Sequence, residues 1–142
     1  MTFNVLVVDD SAVMRAMVIK TLRLSGLPLG EIHQAGNGQE GLDQLEENWV
    51  DLALLDINMP VMDGETMVDR IRENPATRDL AIVIVSTESS DTRIERLRGK
   101  GAAFVHKPFT PETLREVVFQ VTGVDHGQLG GELAVAGGDL DF

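Results

Sequence analysis

The sequence predicts an α/β protein, a doubly wound five-stranded parallel sheet, and three observations predict it. Five short apolar runs alternate with five stretches of helical periodicity. The later runs are apolar at nearly every position, which suits strands covered on both faces. Strand–helix alternation gives parallel strands with right-handed crossovers, and an open sheet with helices on both sides is the product.

The runs are Phe3–Val8, Ile32–Ala35, Asp51–Leu55, Ala81–Val85 and Ala102–Val105. After the first run, Met14, Met17, Val18 and Leu22 mark a helical face, with Ser11 as its N-cap and Gly26 as its stop. The second run is short and polar, as at a sheet edge, and Leu42, Leu45 and Trp49 follow on the second helix. Met67, Val68 and Ile71 mark the third helix, capped by Asp63 and ended at Asn74-Pro75. Ile94 and Leu97 mark the fourth. Leu114, Val117, Val118 and Val121 give the fifth, where Thr110-Pro111 sets a cap before a proline at the first helical position.

The pattern covers residues 1–122, read as one domain. Residues 123–142 form an acidic, Gly-rich tail with Leu129, Leu133, Val135, Leu140 and Phe142. It is expected to be a flexible tail or a docking segment. The chain has no cysteine, so disulfides and thiolate metal sites are excluded, and a reducing cytoplasm is expected. No apolar run approaches a membrane span, and the N-terminus does not resemble a signal peptide. A net charge of −11 argues against non-specific nucleic-acid binding.

Ligands of a doubly wound sheet sit outside the carboxyl ends of its strands. Asp9 and Asp10 fall there after the first run and Asp56 after the third. Converging carboxylates raise their pKa values or bind a cation, and hard oxygen ligands without His or Cys favour Mg²⁺. Ser86-Thr87 ends the fourth run and His106-Lys107-Pro108 the fifth. Acids, hydroxyl and cation together suit phosphoryl transfer, with a carboxylate as nucleophile. The bland reading makes Asp9 and Asp10 helix caps and Lys107 a surface lysine. His33, His106 and His126 read as packed or surface residues.

The segments Val-Val-Asp9-Asp10-Ser11, Leu-Leu-Asp56-Ile-Asn58-Met-Pro60-Val-Met-Asp63-Gly64, Ile-Val-Ser86-Thr87-Glu88 and Lys107-Pro108-Phe109-Thr110 resemble the receiver domains of two-component response regulators, over about Phe3 to Thr122. The resemblance implies the flavodoxin-like, CheY-like strand order 2-1-3-4-5. It implies Asp56 as phospho-acceptor and Mg²⁺ held by Asp10, Asp56 and the Asn58 carbonyl, with Asp9 acting through a metal-bound water. It implies Lys107 paired with the phosphoryl group, aimed by a cis Lys107-Pro108 bond. Ser86 and Phe104 would be the switch. Phe at 104, where the best-known members carry Tyr, leaves only the steric part of that switch. Asn58 and Glu88 would tune dephosphorylation, as in fast-resetting chemotaxis receivers.

The partners implied are a sensor histidine kinase and an effector or motor protein, with the surface of the fourth helix, fifth strand and fifth helix as output. The format suggests a stand-alone messenger, a monomer or weak dimer, not a classical enzyme. A phosphorelay intermediate or phosphate sink is the alternative. A haloacid-dehalogenase-type phosphatase is a remote one: it wants a second Asp where Asn58 stands. A receiver degenerated into an interaction module is unsupported, since the five site residues are intact. Gly36-Asn37-Gly38-Gln39-Glu40-Gly41 spells a dinucleotide fingerprint, but it follows a polar edge strand and reads as a turn needing positive φ. Arg93, Arg96, Arg98 and Lys100 make the fourth helix basic. That face is either solvated or a dock for an acidic partner or the acidic tail.

Overall fold

A computed structural model describes residues 2–88 and 90–123. Residues 124–142 of the tail lie outside them, and so does the expectation of a flexible or docking segment. The elements are β1 (Phe3–Val8), α1 (Ala12–Leu24), β2 (Leu29–Ala35), α2 (Gly38–Glu47), β3 (Leu52–Leu55), α3 (Gly64–Glu73), β4 (Ala81–Ser86), α4 (Asp91–Gly99), β5 (Ala103–His106) and α5 (Pro111–Thr122). All strand pairs are parallel, in the order β2-β1-β3-β4-β5. The polar second run is an edge strand, as expected.

Alternation along the strands divides the core in two. Val5, Val7, Leu52, Leu54, Val83, Val85 and Val105 face α1 and α5, meeting Val18, Leu22, Leu114 and Val118. Leu6, Val8, Ala53, Leu55, Ile82 and Ile84 face the other side, with Met67, Val68 and Ile71 of α3 and Leu97 of α4. The caps act where the sequence places them. Ser11, Asp63 and Thr110 accept from the backbone N–H groups of Met14, Thr66 and Thr113.

Two apolar positions depart from the expected stripes. Met17 is mostly exposed, and Ile19 packs on the core instead. Trp49 lies beyond α2 and is 78% exposed. Asn48 ends that helix by bonding the Gln44 carbonyl, and the indole N–H then reaches Asp51 Oδ1 at 3.0 Å.

The glycine-rich segment is also corrected. Asn37 has φ −162°, extended backbone, and N-caps α2 by accepting from Glu40 N–H, while Glu40 accepts from Gly36 N–H. No residue there has a positive φ. Two of its glycines, Gly38 and Gly41, sit in crowded places. A Cβ on Gly38 would lie 2.8 Å from the Met62 carbonyl, and one on Gly41 would lie 2.6 Å from Met67 Cε.

Much of the basic helix is not a free face. Glu65 of α3 takes Arg96 (Nη2–Oε1 2.9 Å) and Lys100 (3.1 Å), and Lys100 also meets Asp69 at 2.7 Å. Only Arg98, paired with Glu95 on its own helix, fits the solvated reading. Hydrogen bonds from Arg96 hold the Glu65 carboxyl down at about 2, with help from Lys100, against an ordinary value of 4.5. An acid depressed in the fold stabilises it above its unfolded pKa, and that stability is lost as pH falls through the folded value. Glu65→Gln should therefore cost about 1–2 kcal/mol at neutral pH, after allowing for solvent screening. The gap to the parent should shrink between pH 4.5 and about 2, which denaturant melts at several pH values will read.

Arg72 fastens the same region. Its guanidinium donates to the carbonyls of Arg78, Leu80, Lys100 and Gly101, joining the start of β4 to the turn before β5.

Candidate functional site

Strand register sets the site. Val8 pairs with Leu55, Leu55 with Ile84, and Ser86 with His106. One residue further on, the Asp56 N–H donates to the Val8 carbonyl (2.9 Å) and the Lys107 N–H to the Ser86 carbonyl (2.8 Å). Asp9 and Asp56 thus come directly after the Val8–Leu55–Ile84 level, Ser86 lies two residues past it on β4, and Lys107 follows the partner of Ser86, so all four stand at the carboxyl edge of the sheet.

Carboxylate oxygens of Asp9, Asp10 and Asp56 all lie within 4.8 Å of one another. Asp9 is buried and Asp10 exposed. Asp9 Oδ1 accepts from Ser11 N–H at 2.9 Å, and Asp56 Oδ1 accepts from Ile57 N–H at 2.8 Å. Lys107 Nζ stands 3.4 Å from Asp9 Oδ2 and 3.9 Å from Asp56 Oδ1. The Lys107-Pro108 bond is cis. Burial pushes the Asp56 carboxyl up; Lys107 and the Ile57 N–H oppose this, and the charges of Asp9 and Asp10 add to it.

This donor set fits a small divalent cation. Oxygens on one octahedral Mg²⁺ stand roughly 3–4 Å apart. The trio needs only a small contraction, or one member acting through a bound water. All three donors are hard oxygens, as Mg²⁺ prefers over softer metals.

Ser86 is buried, and its Oγ accepts from the Glu88 N–H at 3.1 Å. Phe104 is half-buried against the α3–α4 side of the core, its ring centroid 6.0 Å from that of His106. His106 is exposed and points Nδ1 at the Lys107 carbonyl. Asn58 is exposed beyond the acceptor strand. Glu88 turns toward α4, where Arg93 Nη1 meets its Oε1 at 3.2 Å.

Sequence reasoning missed three features. Arg15 Nη1 donates to the Asp9 carbonyl at 2.6 Å and Nε to Gln34, tying α1 to the acid pair. Glu65 gathers the α4 bases, and their surplus in an acidic chain was the available clue. Val61, 83% exposed, holds φ 68°, a strained value for a β-branched residue, in the loop after Asp56. Nothing in its residue type announces that.

The acids do not enclose a substrate chamber. The cavity beneath Asp9 and Asp56 is about 10 Å³, while grooves of about 420 and 610 Å³ lie elsewhere, lined by Trp49 and Leu80 or by Gln39 and Arg70.

A parallel 2-1-3-4-5 sheet carrying an acid trio, a buried hydroxyl and a lysine at its carboxyl end defines a CheY-like signalling fold. The profile of the response regulator receiver domain matches residues 5–119, and the chain belongs to that family. It is 34% identical over 127 residues to a chemotaxis protein CheY homolog of Campylobacter jejuni, covering 88% of this chain and 96% of that protein. Among solved structures it is similar to Vibrio cholerae chemotaxis protein CheY4, at 34% identity and TM-score 0.75, covering 85% of this chain and 99% of that one. It is also similar to CheY in the CheX-CheY-BeF3-Mg²⁺ complex of Borrelia burgdorferi, at 27% identity and TM-score 0.76, covering 84% and 88%.

Proposed function

We propose that Asp56 accepts a phosphoryl group from a sensor histidine kinase and that the new charge switches the α4–β5–α5 surface for an effector, in chemotaxis-type signalling. The observation that carries this is the convergence of Asp56 with Asp9, Asp10 and Lys107 at the carboxyl edge of the sheet. Support also comes from the Borrelia relative, solved with Mg²⁺ and with BeF3, a mimic of a phosphoryl group.

In this reading an Asp56 carboxylate oxygen attacks phosphorus, the P–N bond of a phosphohistidine breaks, and an acyl phosphate forms. Lys107 pairs with the phosphoryl oxygens in place of part of its contact with the acids. Asp10, Asp56 and the Asn58 carbonyl would hold Mg²⁺, with Asp9 one water away; when bound it neutralises charge on the phosphoryl oxygens. The Ser86 hydroxyl leaves the Glu88 N–H for the phosphoryl group, and Phe104 moves into the room vacated. The domain, residues 1–122, works as a phospho-acceptor that assists its own phosphorylation and dephosphorylation. Asn58 and Glu88 tune the latter.

A cytoplasmic location suits this role, and no described helix is long and apolar enough to cross a membrane. A relay intermediate would use the same site. Turnover of small phosphate esters is disfavoured by the unenclosed acids and by Asn58.

The test is incubation with acetyl phosphate and Mg²⁺. Intact mass should show one phosphoryl group, and EDTA should abolish the gain. Steady release of phosphate from small esters, or no mass gain with the metal present, would sink the reading.

A further inference from the structure

Glu88 is held in a way its expected role does not require. Its N–H donates to Ser86 Oγ, and both carboxylate oxygens are taken: Oε2 by the Ser90 N–H at 3.0 Å and Oε1 by Arg93 Nη1 at 3.2 Å. The pair is fairly shielded, with side-chain exposures of 26% for Arg93 and 18% for Glu88. Among the described residues Arg93 has no comparable second partner. Its Nε stands 3.9 Å from Glu65 Oε1 and makes no hydrogen bond, while Glu65 is bonded by Arg96 and Lys100. The guanidinium therefore acts mainly on Glu88.

When the Ser86 hydroxyl turns to a phosphoryl group, its bond to the Glu88 N–H is broken. Arg93 and the Ser90 N–H then hold Glu88 on α4. Released, the carboxylate lies two residues from the switch hydroxyl and can accept a hydrogen bond from water attacking the acyl phosphate. In that step the water oxygen bonds to phosphorus and the P–O bond to Asp56 breaks, its electron pair returning to the carboxylate. Both water protons leave with the phosphate, one of them by way of Glu88.

We propose that Arg93 is a positioning residue that keeps the Glu88 carboxylate on α4 and thereby lengthens the life of the phosphoryl group. This rests on phosphoryl acceptance at Asp56. It makes the N-terminus of α4 a control on resetting: a partner whose acidic group draws Arg93 away from Glu88 shortens the signal.

The parent, Arg93→Gln, Arg93→Lys, Glu88→Gln and the Arg93→Gln/Glu88→Gln double variant are phosphorylated with acetyl phosphate and Mg²⁺. The donor is then removed, and loss of the phosphoryl group is followed by intact mass. Arg93→Gln should decay about three- to fivefold faster than the parent, the population change expected from losing one partly shielded ion pair. Arg93→Lys should recover most of the parent's rate. In the Glu88→Gln background the Arg93 substitution should change nothing. Equal decay of Arg93→Gln and parent, or slower decay, overturns the proposal. So does the same acceleration with and without Glu88, because Arg93 would then act through Glu65 and the packing of α4. Uptake failing in the parent overturns the Asp56 reading together with this one; normal uptake with unaltered decay overturns this one alone.

Discussion

Asp56→Asn should take up no phosphoryl group and yet be more stable than the parent when Mg²⁺ is absent. The amide has no anionic oxygen to attack phosphorus, so covalent capture stops. The gain in stability comes from the same carboxylate. Burial raises its folded pKa, and Asp9 and Asp10 add repulsion that Lys107 and the Ile57 N–H only partly offset. An acid raised in the fold costs stability once pH passes its unfolded value of 3.8, since the unfolded chain then holds the charge more easily. The asparagine variant should lead the parent by about 1 kcal/mol at neutral pH in EDTA and by nothing well below that value. Its amide oxygen can still accept from Ile57 N–H, so the local backbone is preserved. Adding Mg²⁺ should raise the parent's melting temperature and barely move the variant's, because only the parent presents all three carboxylates. Thermal melts with EDTA and with Mg²⁺, beside the intact-mass measurement, read all of this. A variant no more stable than the parent in EDTA would mean that the acid trio stores no repulsion.

Gly64→Ala should be among the most damaging single methyl groups in the protein. Gly64 opens α3 directly beneath the acceptor loop, and its N–H donates to the Ile57 carbonyl at 2.7 Å. A Cβ there would lie 2.1 Å from the Asp56 carbonyl oxygen and 3.0 Å from Ile57 Cα. Both obstacles are backbone, so no side chain can swing aside. Either α3 shifts or the segment carrying the nucleophile does. Overpacking of this kind costs about 3 kcal/mol, or roughly 10 °C in melting temperature for a domain of this size. Because the displaced backbone carries Asp56, phosphoryl uptake should slow even where the variant is folded. Gly99→Ala is the control: a Cβ at Gly99 meets nothing within 4 Å, and that change should be neutral or slightly stabilising. Equal melting temperatures for Gly64→Ala and Gly99→Ala would refute the crowding argument.

The sequence was most legible where one residue type has one physical job. Ser11, Asp63 and Thr110 are caps in the fold because a short oxygen side chain before a helical stretch has an N–H to accept from. The strand runs were readable because residues buried on both faces must be apolar throughout. It was least legible where a residue's role depends on its neighbours across the fold. Trp49 continued an apolar spacing yet sits on the surface, because Asn48 ends the helix before it. The fourth helix looked like a free basic face because Glu65 and Asp69, which bind it, lie on another helix. Gly38 looked like a turn glycine, whereas the Met62 backbone leaves no room for a side chain there.

The strand–helix alternation, the caps and the residue types at the strand ends were determined by the sequence alone, since each follows from local periodicity and side-chain chemistry. Only the tertiary structure decided that Asp9, Asp10 and Asp56 converge beside Lys107 and that Glu65 bridges α3 to α4. Those are contacts between residues tens of positions apart or on separate elements, and sheet register and helix packing, not local spacing, set their distances.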